Sequence, residues 1–313
     1  SRPGPPGPAS TAAGHGALAP SPSSMSGLPL LPALDPDRTI PTPVPEGDTI
    51  HRAARHLRRA LVGRPVRALS LRDRPTPEAI PGRPVQDVEA RGKNLLVRFE
   101  PGWVLYTHMK MTGSWHIYRP GESWRKNPRW VVARIDNEAF SCVCFNAPVV
   151  ELLTDARARR HPTLARLGPD LLAHRPDLPE MVRRLRTLGD LPLGVALLDQ
   201  RALAGIGNVY KSELCFLSRL DPFAPVAGYD EATLLDLLRR ARRSMLENMD
   251  TFRRTTRRAP DGERHWVYGR VGAPCHRCGD AVQLRRQGDA GRSTYFCPRC
   301  QPPPERPGRL APR

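Results

Sequence analysis

Four cysteines near the carboxyl end of the chain constrain its fold more than any other feature. They form two Cys-x-x-Cys pairs, "CHRC" with Cys275 and Cys278 and "CPRC" with Cys297 and Cys300, and 18 residues separate the pairs. Each pair is typical of a knuckle that presents two thiolates to one tetrahedral ion. Two disulfides are the alternative, but no segment of the sequence predicts a secretory signal. The spacing therefore predicts a structural zinc (Zn2+) ribbon, a small β-hairpin without a core of its own.

The charge of the chain favours a polyanionic partner. The formal net charge is +18, from 49 basic and 31 acidic residues. A preference for arginine explains why four of the basic residues are lysine and 45 are arginine, but it does not explain the sign of the net charge. We therefore favour nucleic acid as the partner over a merely solvated basic surface. No run approaches the length of apolar sequence that a membrane span needs, so we expect no membrane partner.

Changes in composition divide the chain into five parts. Residues 1–44 contain eleven prolines and no aromatic residue, which predicts a disordered extension, and residues 302–313 predict a disordered tail. Residues 45–155 begin with one helical pattern and continue with strand patterns. Residues 160–255 are mostly helical, and residues 265–301 contain the predicted zinc finger. The order predicts an α+β multidomain protein.

Local patterns place the main elements. Apolar residues at helical spacing from Ile50 to Leu61, followed by Gly63, predict the first helix. The turn "EPGW" between residues 94–99 and 103–106 predicts a hairpin. The stretches "WVVARID" and "AFSCVCFNAPVVELL" predict two further strands. Four later helices are predicted, at residues 181–188, 193–203, 208–217 and 230–249.

The stretch "LAGIGNVYKSEL" predicts an anion site. Its glycines allow a tight turn between helices, and Asn208 is expected at the N-cap of the next helix. Free N–H groups at a helix start can hold a DNA phosphate without reading the base sequence. The alternative is an ordinary glycine-rich helical turn.

Three further side chains suit nucleic-acid chemistry. Lys93 follows Gly92 at the start of a strand, and a lysine can exchange a proton where an arginine cannot; the alternative is a solvated lysine. Met111, beside Lys110 in "THMKMTGSWHIY", could wedge between bases or belong to the core. Arg292 in "GRSTYF" is expected near the hairpin tip, as a phosphate ligand or as one more surface arginine.

These motifs, taken together and in order, resemble one family. The chain from Pro45 to residue 301 is similar to the bacterial formamidopyrimidine-DNA glycosylase/endonuclease VIII family, and the "PEGDT" form is most like actinobacterial endonuclease VIII. The matching stretches are "PEGDT", "RGKNLL", "THMKMTGSW", "LLDQRALAGIGNVYKSEL", "VYGRVGAPC" and "GRSTYFCPRCQ". The resemblance implies a helix-flanked β-sandwich, a helix–two-turn–helix domain and a C-terminal zinc finger, with DNA in the cleft between them.

The resemblance also implies an activity of base excision repair. The family's N-terminal proline amine attacks C1′ of a damaged nucleotide, releases the base, and drives β- and δ-elimination from the resulting Schiff base. On matching positions, Pro45 is the nucleophile, Glu46 the neighbouring acid/base and Lys93 the proton donor of β-elimination. Asn208 holds the backbone phosphate, and Arg292 is the donor of δ-elimination. Proline is a secondary amine, so its Schiff base is a permanent cation and an electron sink.

The remaining expectations concern DNA binding and substrate. Lys110, Met111 and Lys211 are implied DNA-binding residues, with Met111 filling the gap that the flipped base leaves. Many relatives have a glutamate four residues after the proline, where this chain has Thr49, with Asp48 beside it. A short segment before "YGR" favours oxidised pyrimidines and abasic sites in double-stranded DNA over 8-oxoguanine. We expect a monomer in the bacterial cytoplasm, associated with the nucleoid.

The implied chemistry needs a free amine on Pro45. A proline inside a chain is a tertiary amide and cannot attack a sugar. We therefore expect Pro45 to be the first residue of the working enzyme and Val44 to stand at the true start, because bacterial genes often begin with a GTG codon. Residues 1–44 would then be upstream sequence from a misplaced start. The alternative is a genuine leader, cleaved after Val44 or retained in an inactive protein.

Two other functions fit parts of the sequence. A catalytically inactive relative that binds lesions or DNA ends would need Asn208, Arg292 and the zinc ribbon, but no freed Pro45. A zinc-ribbon protein that binds nucleic acid for another purpose would need neither the ordered proline–glutamate start nor Lys93. Trapping of a Schiff base with borohydride separates the enzyme from both alternatives.

Overall fold

The computed structural model describes residues 44–251 and 253–304. The predicted N-terminal extension, apart from Val44, and the predicted tail from residue 305 onward lie outside these described residues. Within the described ranges, no helix combines the length and the apolar character that crossing a membrane requires.

The first helix, α1, spans Gly47–Leu61. Ile50, Ala54 and Leu57 lie on its buried face, as the helical spacing predicts, and the face packs on the adjacent sheet. Gly63 follows the helix with a φ of 75°, a left-handed conformation that glycine adopts without a steric penalty. The predicted first helix is therefore confirmed, and it begins at Gly47, before the first apolar residue of the predicted pattern.

Two antiparallel sheets follow α1. Their strands, in chain order, are β1 (Ala68–Leu71), β2 (Val85–Arg91), β3 (Asn94–Phe99), β4 (Trp103–His108), β5 (Ser114–Tyr118), β6 (Val131–Asp136), β7 (Ser141–Phe145) and β8 (Val149–Thr154). One sheet has the order β1-β6-β7-β5 and the other the order β2-β3-β4-β8. Apolar side chains of both sheets and of α1 form one buried cluster, so this half of the chain is a helix-flanked β-sandwich.

The sandwich agrees with the predicted strands except at one place. β3 and β4 form the predicted hairpin around "EPGW". The stretch "AFSCVCFNAPVVELL", predicted as one strand, is two strands, β7 and β8, which belong to different sheets. Asn146 between them has a φ of 51°, and Pro148 follows, so the backbone turns where a single strand was expected. Cys142 and Cys144 on β7 are buried in the core.

Short and long helices form the second region. They are α2 (Asp155–Arg159), α3 (Pro162–Ala165), α4 (Leu178–Arg186), α5 (Leu193–Ala196), α6 (Asn208–Leu217) and α7 (Glu231–Asn248). Their apolar faces, with Cys215 among them, surround a second core. The predicted helix 193–203 ends at Ala196. The predicted N-cap of α6 is also wrong, because the cap is Gly207 and Asn208 is the first residue of the helix.

The predicted cysteine hairpin follows. Its strands are β9 (Gln283–Gln287) and β10 (Arg292–Phe296), which pair in antiparallel register. Val267, Val282 and Cys297 form a small buried cluster with Phe216 of α6. The hairpin therefore packs on the helical region through α6.

Candidate active site and zinc finger

The Glu46 carboxylate lies at the amino end of α6. It accepts hydrogen bonds from the backbone N–H groups of Gly207 at 2.9 Å, Val209 at 2.8 Å and Tyr210 at 3.3 Å. A helix start stabilises an anion through its free N–H groups and its dipole. In this structure the anion site that the sequence predicts for a DNA phosphate is therefore occupied by Glu46.

Close backbone approach makes this contact possible. A Cβ on Gly207 would lie 2.3 Å from the Glu46 Cδ atom, and one on Gly47 would lie 2.9 Å from the Gly205 Cα atom. The Gly47 N–H donates to the Gly205 carbonyl at 2.9 Å. The glycines of "LAGIG" therefore allow α1 to dock on the start of α6, in addition to forming a turn.

A buried ion pair lies under the start of α1. Arg254 donates from Nε to Asp48 Oδ2 at 2.9 Å and from Nη2 to Asp48 Oδ1 at 2.5 Å, and the Tyr210 hydroxyl donates to Asp48 Oδ2 at 3.0 Å. Burial alone would raise the pKa of Asp48, but the charge and hydrogen bonds of Arg254 outweigh it and hold that pKa below its usual value. Asp48 is therefore a charged structural partner of a residue 206 positions away.

Lys93 follows a turn that Asp170 fixes. Asp170 Oδ2 accepts from the Gly92 N–H at 2.7 Å and lies 2.8 Å from His51 Nε2 on α1. Burial lowers the pKa of Lys93; the Glu46 charge opposes that effect, and the nearby charges of Arg292 and Arg254 add to it. The structure thus brings Glu46 and Arg292 into electrostatic range of Lys93, although they come from distant parts of the chain.

α6 also fastens the cysteine hairpin. Lys211 Nζ donates to the Ser293 carbonyl at 2.9 Å and to Thr294 Oγ1 at 2.7 Å, and Asn208 Nδ2 donates to the same carbonyl at 2.9 Å. Lys211 is fully buried, and burial lowers its pKa to about 8. This position favours a structural role for Lys211, and its predicted contact with DNA stays a prediction. Arg292 is exposed beside the hairpin turn, as predicted.

Glu213, also on α6, holds the segment before the hairpin. Its carboxylate accepts from the N–H groups of Trp266 at 2.8 Å, Val267 at 2.9 Å and Tyr268 at 2.7 Å. The sequence does not indicate Glu213 or Arg254 as site residues, because nothing in their local sequence distinguishes them from other charged residues. Asp170 in "LGPDLL" was missed for the same reason.

The loop after β4 projects a methionine. Met111 is 59% exposed, so it does not belong to the core. The preceding residue, Lys110, has a φ of 44°, which is uncommon for a residue with a side chain. A Cβ on Gly113 would lie 2.7 Å from the Met109 Cα atom, so the loop closes tightly behind the projecting side chain.

The four predicted cysteine ligands fit a zinc ion. Their Sγ atoms all lie within 4.8 Å of one another, with 3.9 Å between Cys275 and Cys300 and 3.4 Å between Cys278 and Cys297. Four thiolates about 2.3 Å from a tetrahedral zinc ion would be separated by about 3.8 Å. Each cysteine is free of disulfides. This donor set is that of a structural zinc site, and the zinc ribbon is confirmed.

Comparison with known proteins accounts for most of the chain. Residues 44–148 match the formamidopyrimidine-DNA glycosylase N-terminal domain, residues 167–258 match the formamidopyrimidine-DNA glycosylase H2TH domain, and residues 272–303 match the zinc finger found in FPG and IleRS. These three matches correspond to the sandwich, the helical region and the cysteine hairpin.

Whole proteins that are similar to this chain match it over nearly their full length. "Probable endonuclease 8 2" of Streptomyces coelicolor is 42% identical over 85% of this chain and 97% of its own length. The DNA-(apurinic or apyrimidinic site) lyase Nei2 of Mycolicibacterium smegmatis is 39% identical over 82% of this chain and 99% of its own length. The crystal structure of the MutM (Fpg) protein from Thermus thermophilus superimposes with a TM-score of 0.67 at 33% identity, covering 83% of this chain and 99% of that one.

Proposed function

The chain belongs to the formamidopyrimidine-DNA glycosylase and endonuclease VIII family of DNA glycosylases and abasic-site lyases, and we propose that it removes oxidised pyrimidines and then cleaves the DNA strand by β- and δ-elimination. Its substrates on this proposal are double-stranded DNA with oxidised bases or abasic sites. It acts as a monomer on this proposal, since one copy of the chain contains every residue that the chemistry uses. We propose that it acts on chromosomal DNA in the bacterial cytoplasm.

The proposed reaction begins at Pro45. Its amine, when free, attacks C1′ of the flipped nucleotide as the bond from C1′ to the base breaks, and the base leaves with the bonding electrons and takes a proton from water. Glu46 accepts the proton that the proline nitrogen loses and delivers it to the ring oxygen, which opens the sugar ring and leaves an iminium between Pro45 and C1′. The positive charge on this iminium acidifies the C2′ proton, whose loss expels the 3′ phosphate. A second elimination expels the 5′ phosphate and leaves a one-nucleotide gap.

The other proposed roles belong to the surrounding cations. Lys93 is the proton donor of β-elimination, and its lowered pKa makes its proton easier to release. Arg292 holds phosphate and serves δ-elimination, while Asn208 and Lys110 contact the DNA backbone. Met111 fills the space of the flipped base, which its exposed position supports.

One observation carries the proposal. Glu46, which follows Pro45 directly, lies within electrostatic range of Lys93, and Arg292 lies within range of the same lysine. These residues come from the start of α1, from the turn between β2 and β3, and from the hairpin. An acid/base and two cations beside a proline are the groups that Schiff-base formation and two eliminations require.

The segment before "YGR" supports the pyrimidine preference. The N–H groups of Thr256 and Arg257 both donate to the Arg264 carbonyl, at 2.9 Å and 3.0 Å, so the segment closes on itself. Arg257 Nη1 also pairs with Asp261 at 2.5 Å. A closed, short segment leaves little chain to cover a flipped purine.

The test uses a protein that begins at Pro45. Borohydride should trap it on duplexes that contain an abasic site or thymine glycol, with about tenfold less trapping on 8-oxoguanine. The matched control has one alanine before Pro45, which converts the amine to an amide and should abolish trapping. Equal trapping by both proteins would move the nucleophile to another amine. A preference for 8-oxoguanine would overturn the substrate assignment.

A further inference from the structure

The guanidinium of Arg254 has partners on two sides. Its Nε and Nη2 atoms face the Asp48 carboxylate, at 2.9 Å and 2.5 Å. Its Nη1 atom points the other way and donates to the Val44 carbonyl at 3.0 Å. Val44 is bonded to Pro45, so the side of the guanidinium that Asp48 does not bind is directed at the residue before the proposed nucleophile.

Covalent geometry limits the distance to that nucleophile. Bond lengths place a carbonyl oxygen within about 2.6 Å of the nitrogen of the next residue. Because Arg254 Nη1 is 3.0 Å from the Val44 oxygen, it lies within about 5.6 Å of the Pro45 nitrogen. Asp48 binds Nε and Nη2, whereas Nη1 is the guanidinium nitrogen that binds the residue bonded to Pro45.

The guanidinium is held rigidly. Arg254 is 5% exposed, its Cζ atom lies 5.0 Å from the centre of the Tyr210 ring, and its Nη2 also donates to Thr49 Oγ1 at 3.0 Å. Burial disfavours the charged form, but the charges of Asp48 and Glu46 raise the pKa of Arg254 above its usual value. Arg254 is therefore a permanent, fixed cation at this position.

Other charged groups face the same region. Glu46 is the nearest acid, with Oε1 at 3.9 Å from Arg254 Nη1, and three backbone N–H groups already bind its carboxylate. Other cations and titratable groups interact with Glu46, Asp48 or Arg254, and they come from α1, the β2–β3 turn, α6 and the segment before the hairpin. They are Arg52, Lys93, Tyr210, Lys211, His265 and Tyr268. Arg292 of the hairpin acts on two of them, Lys93 and Lys211. Cations predominate in this set.

We propose that Arg254 is a positioning residue that fixes the start of α1 through Asp48 and keeps the freed Pro45 amine in its neutral, nucleophilic form. When Val44 is absent, Nη1 has lost its acceptor, and the lone pair of a neutral amine can take that place. A protonated amine has no lone pair and is repelled by the guanidinium. An ordinary α-amino group has a pKa of about 8, so without a neighbouring cation much of the amine is protonated at neutral pH. The inference rests on the proposed function.

The test measures the pH dependence of borohydride trapping in single turnovers on abasic DNA, with the protein that begins at Pro45. The double variant Asp48→Asn/Arg254→Gln removes both charges and leaves no unpaired carboxylate. Its pH midpoint should rise by about one unit, with trapping about tenfold slower at pH 6.5 and similar to wild type at pH 9. Arg254→Lys keeps the positive charge but cannot contact both Asp48 and the Pro45 amine at the start of the chain. The pH midpoint of trapping should therefore stay unchanged, and the trapping rate should fall by the same factor at every pH.

A second variant should shift the pH midpoint of trapping in the opposite direction. Asp48→Asn keeps the guanidinium and removes its counter-charge, so the midpoint should fall. The matched control is Arg242→Gln, because Arg242 Nη1 binds the carbonyls of Leu171 and Ala173 at 2.7 Å and 2.9 Å on the helical region. This control should leave the midpoint unchanged.

The outcomes separate the two proposals. Absence of trapping by the wild-type protein at every pH would overturn the proposed function. Normal wild-type trapping with an unchanged midpoint in both the double variant and Asp48→Asn would overturn the role of Arg254 alone, and would leave it as a structural residue. If the double variant fails to fold, the direction of the Asp48→Asn shift decides.

Discussion

At the scale of single residues, the position of the proposed acid/base depends on a missing side chain. Gly207 has no Cβ, and the Glu46 side chain occupies the space where one would lie. The sequence indicates Pro45 and Glu46 through a motif, because neighbouring residues carry that signal together. It does not indicate Arg254, because the pairing with Asp48 forms only in the folded chain and the sequence contains many arginines.

Replacement of Gly207 tests the geometry of Glu46. In Gly207→Ala the new Cβ would lie 2.3 Å from the Glu46 Cδ atom, so the carboxylate must move away from α6. We expect trapping on abasic DNA to fall by about 100-fold, the usual effect of a displacement near 1 Å. Gly189→Ala is the control, because its Cβ has nothing closer than 3.6 Å. Similar activity of the two variants would mean that the reaction does not need Glu46 in this position.

Two histidines of the sandwich predict a loss of stability in acid. Burial, and then nearby Lys93 and Lys110, lower the pKa of His108 from 6.5 to about 4, and burial with Lys126 and Arg125 does the same to His116. The unfolded chain therefore binds protons that the folded chain does not. The contribution of these histidines to the free energy of unfolding is therefore unaffected above pH 6.5, decreases as the pH falls below that value, and stops decreasing near pH 4.

Urea unfolding at pH 7.5, 5.5 and 4.5 measures this loss. The variant His108→Gln/His116→Gln should lose less stability between pH 7.5 and 4.5 than the wild type does. An identical pH dependence in the two proteins would show that other groups control the acid sensitivity.

At the scale of elements, α6 connects the three regions. Its amino end binds Glu46, Lys211 in its first half binds the hairpin, and Glu213 binds the segment before the hairpin. The apolar pattern and the glycine turn predict α6 with its observed bounds. The same pattern cannot reveal that two buried charges on α6 fasten other elements, since helical periodicity records burial but not the partner. The break between β7 and β8 was missed because Asn146 turns the backbone without a glycine.

The contrast between Lys211 and Arg292 belongs to this scale. Arg292 is exposed, and on our proposal it neutralises a phosphate. Arg292→Ala should therefore reduce the slope of log affinity against log salt concentration by about one. It should also reduce the δ-elimination product more than the β-elimination product. Lys211→Met removes one of the two donors to the Ser293 carbonyl and the ammonium donor to Thr294 Oγ1, so it should weaken DNA binding by about tenfold with an unchanged slope. Binding titrations from 50 to 200 mM salt measure both slopes. An equal decrease in slope for both variants would make Lys211 a direct DNA contact.

At the scale of the whole molecule, the proposed site forms only where all three regions meet. Glu46 belongs to the sandwich side, its N–H partners to α6, and Arg292 to the zinc finger. Each region can be predicted from its own sequence pattern. Their mutual arrangement depends on side-chain contacts between residues that are far apart in the sequence, which local patterns do not contain.

The chemistry of the whole chain depends on the bond before Pro45. While Val44 is attached, the proline nitrogen is an amide, and the Val44 carbonyl binds Arg254. We expect the protein beginning at Pro45 to be trapped on abasic DNA and the intact 1–313 protein to bind the same DNA without being trapped. N-terminal sequencing of the native protein, alongside both assays, measures this. Efficient trapping of the intact chain would assign the nucleophile to another amine, with Lys93 the first candidate.

The distance in sequence between Asp48 and Arg254 has a consequence for protein synthesis. The two residues are 206 positions apart, and a ribosome that adds about 20 residues per second needs at least about 10 s to pass from one to the other. During that time the proline has been made, but the arginine beneath it and the zinc finger have not. A translation product that stops early therefore lacks a completed pocket. On our proposal, the chain can cleave a DNA strand only after Arg254 and the zinc finger have been synthesised.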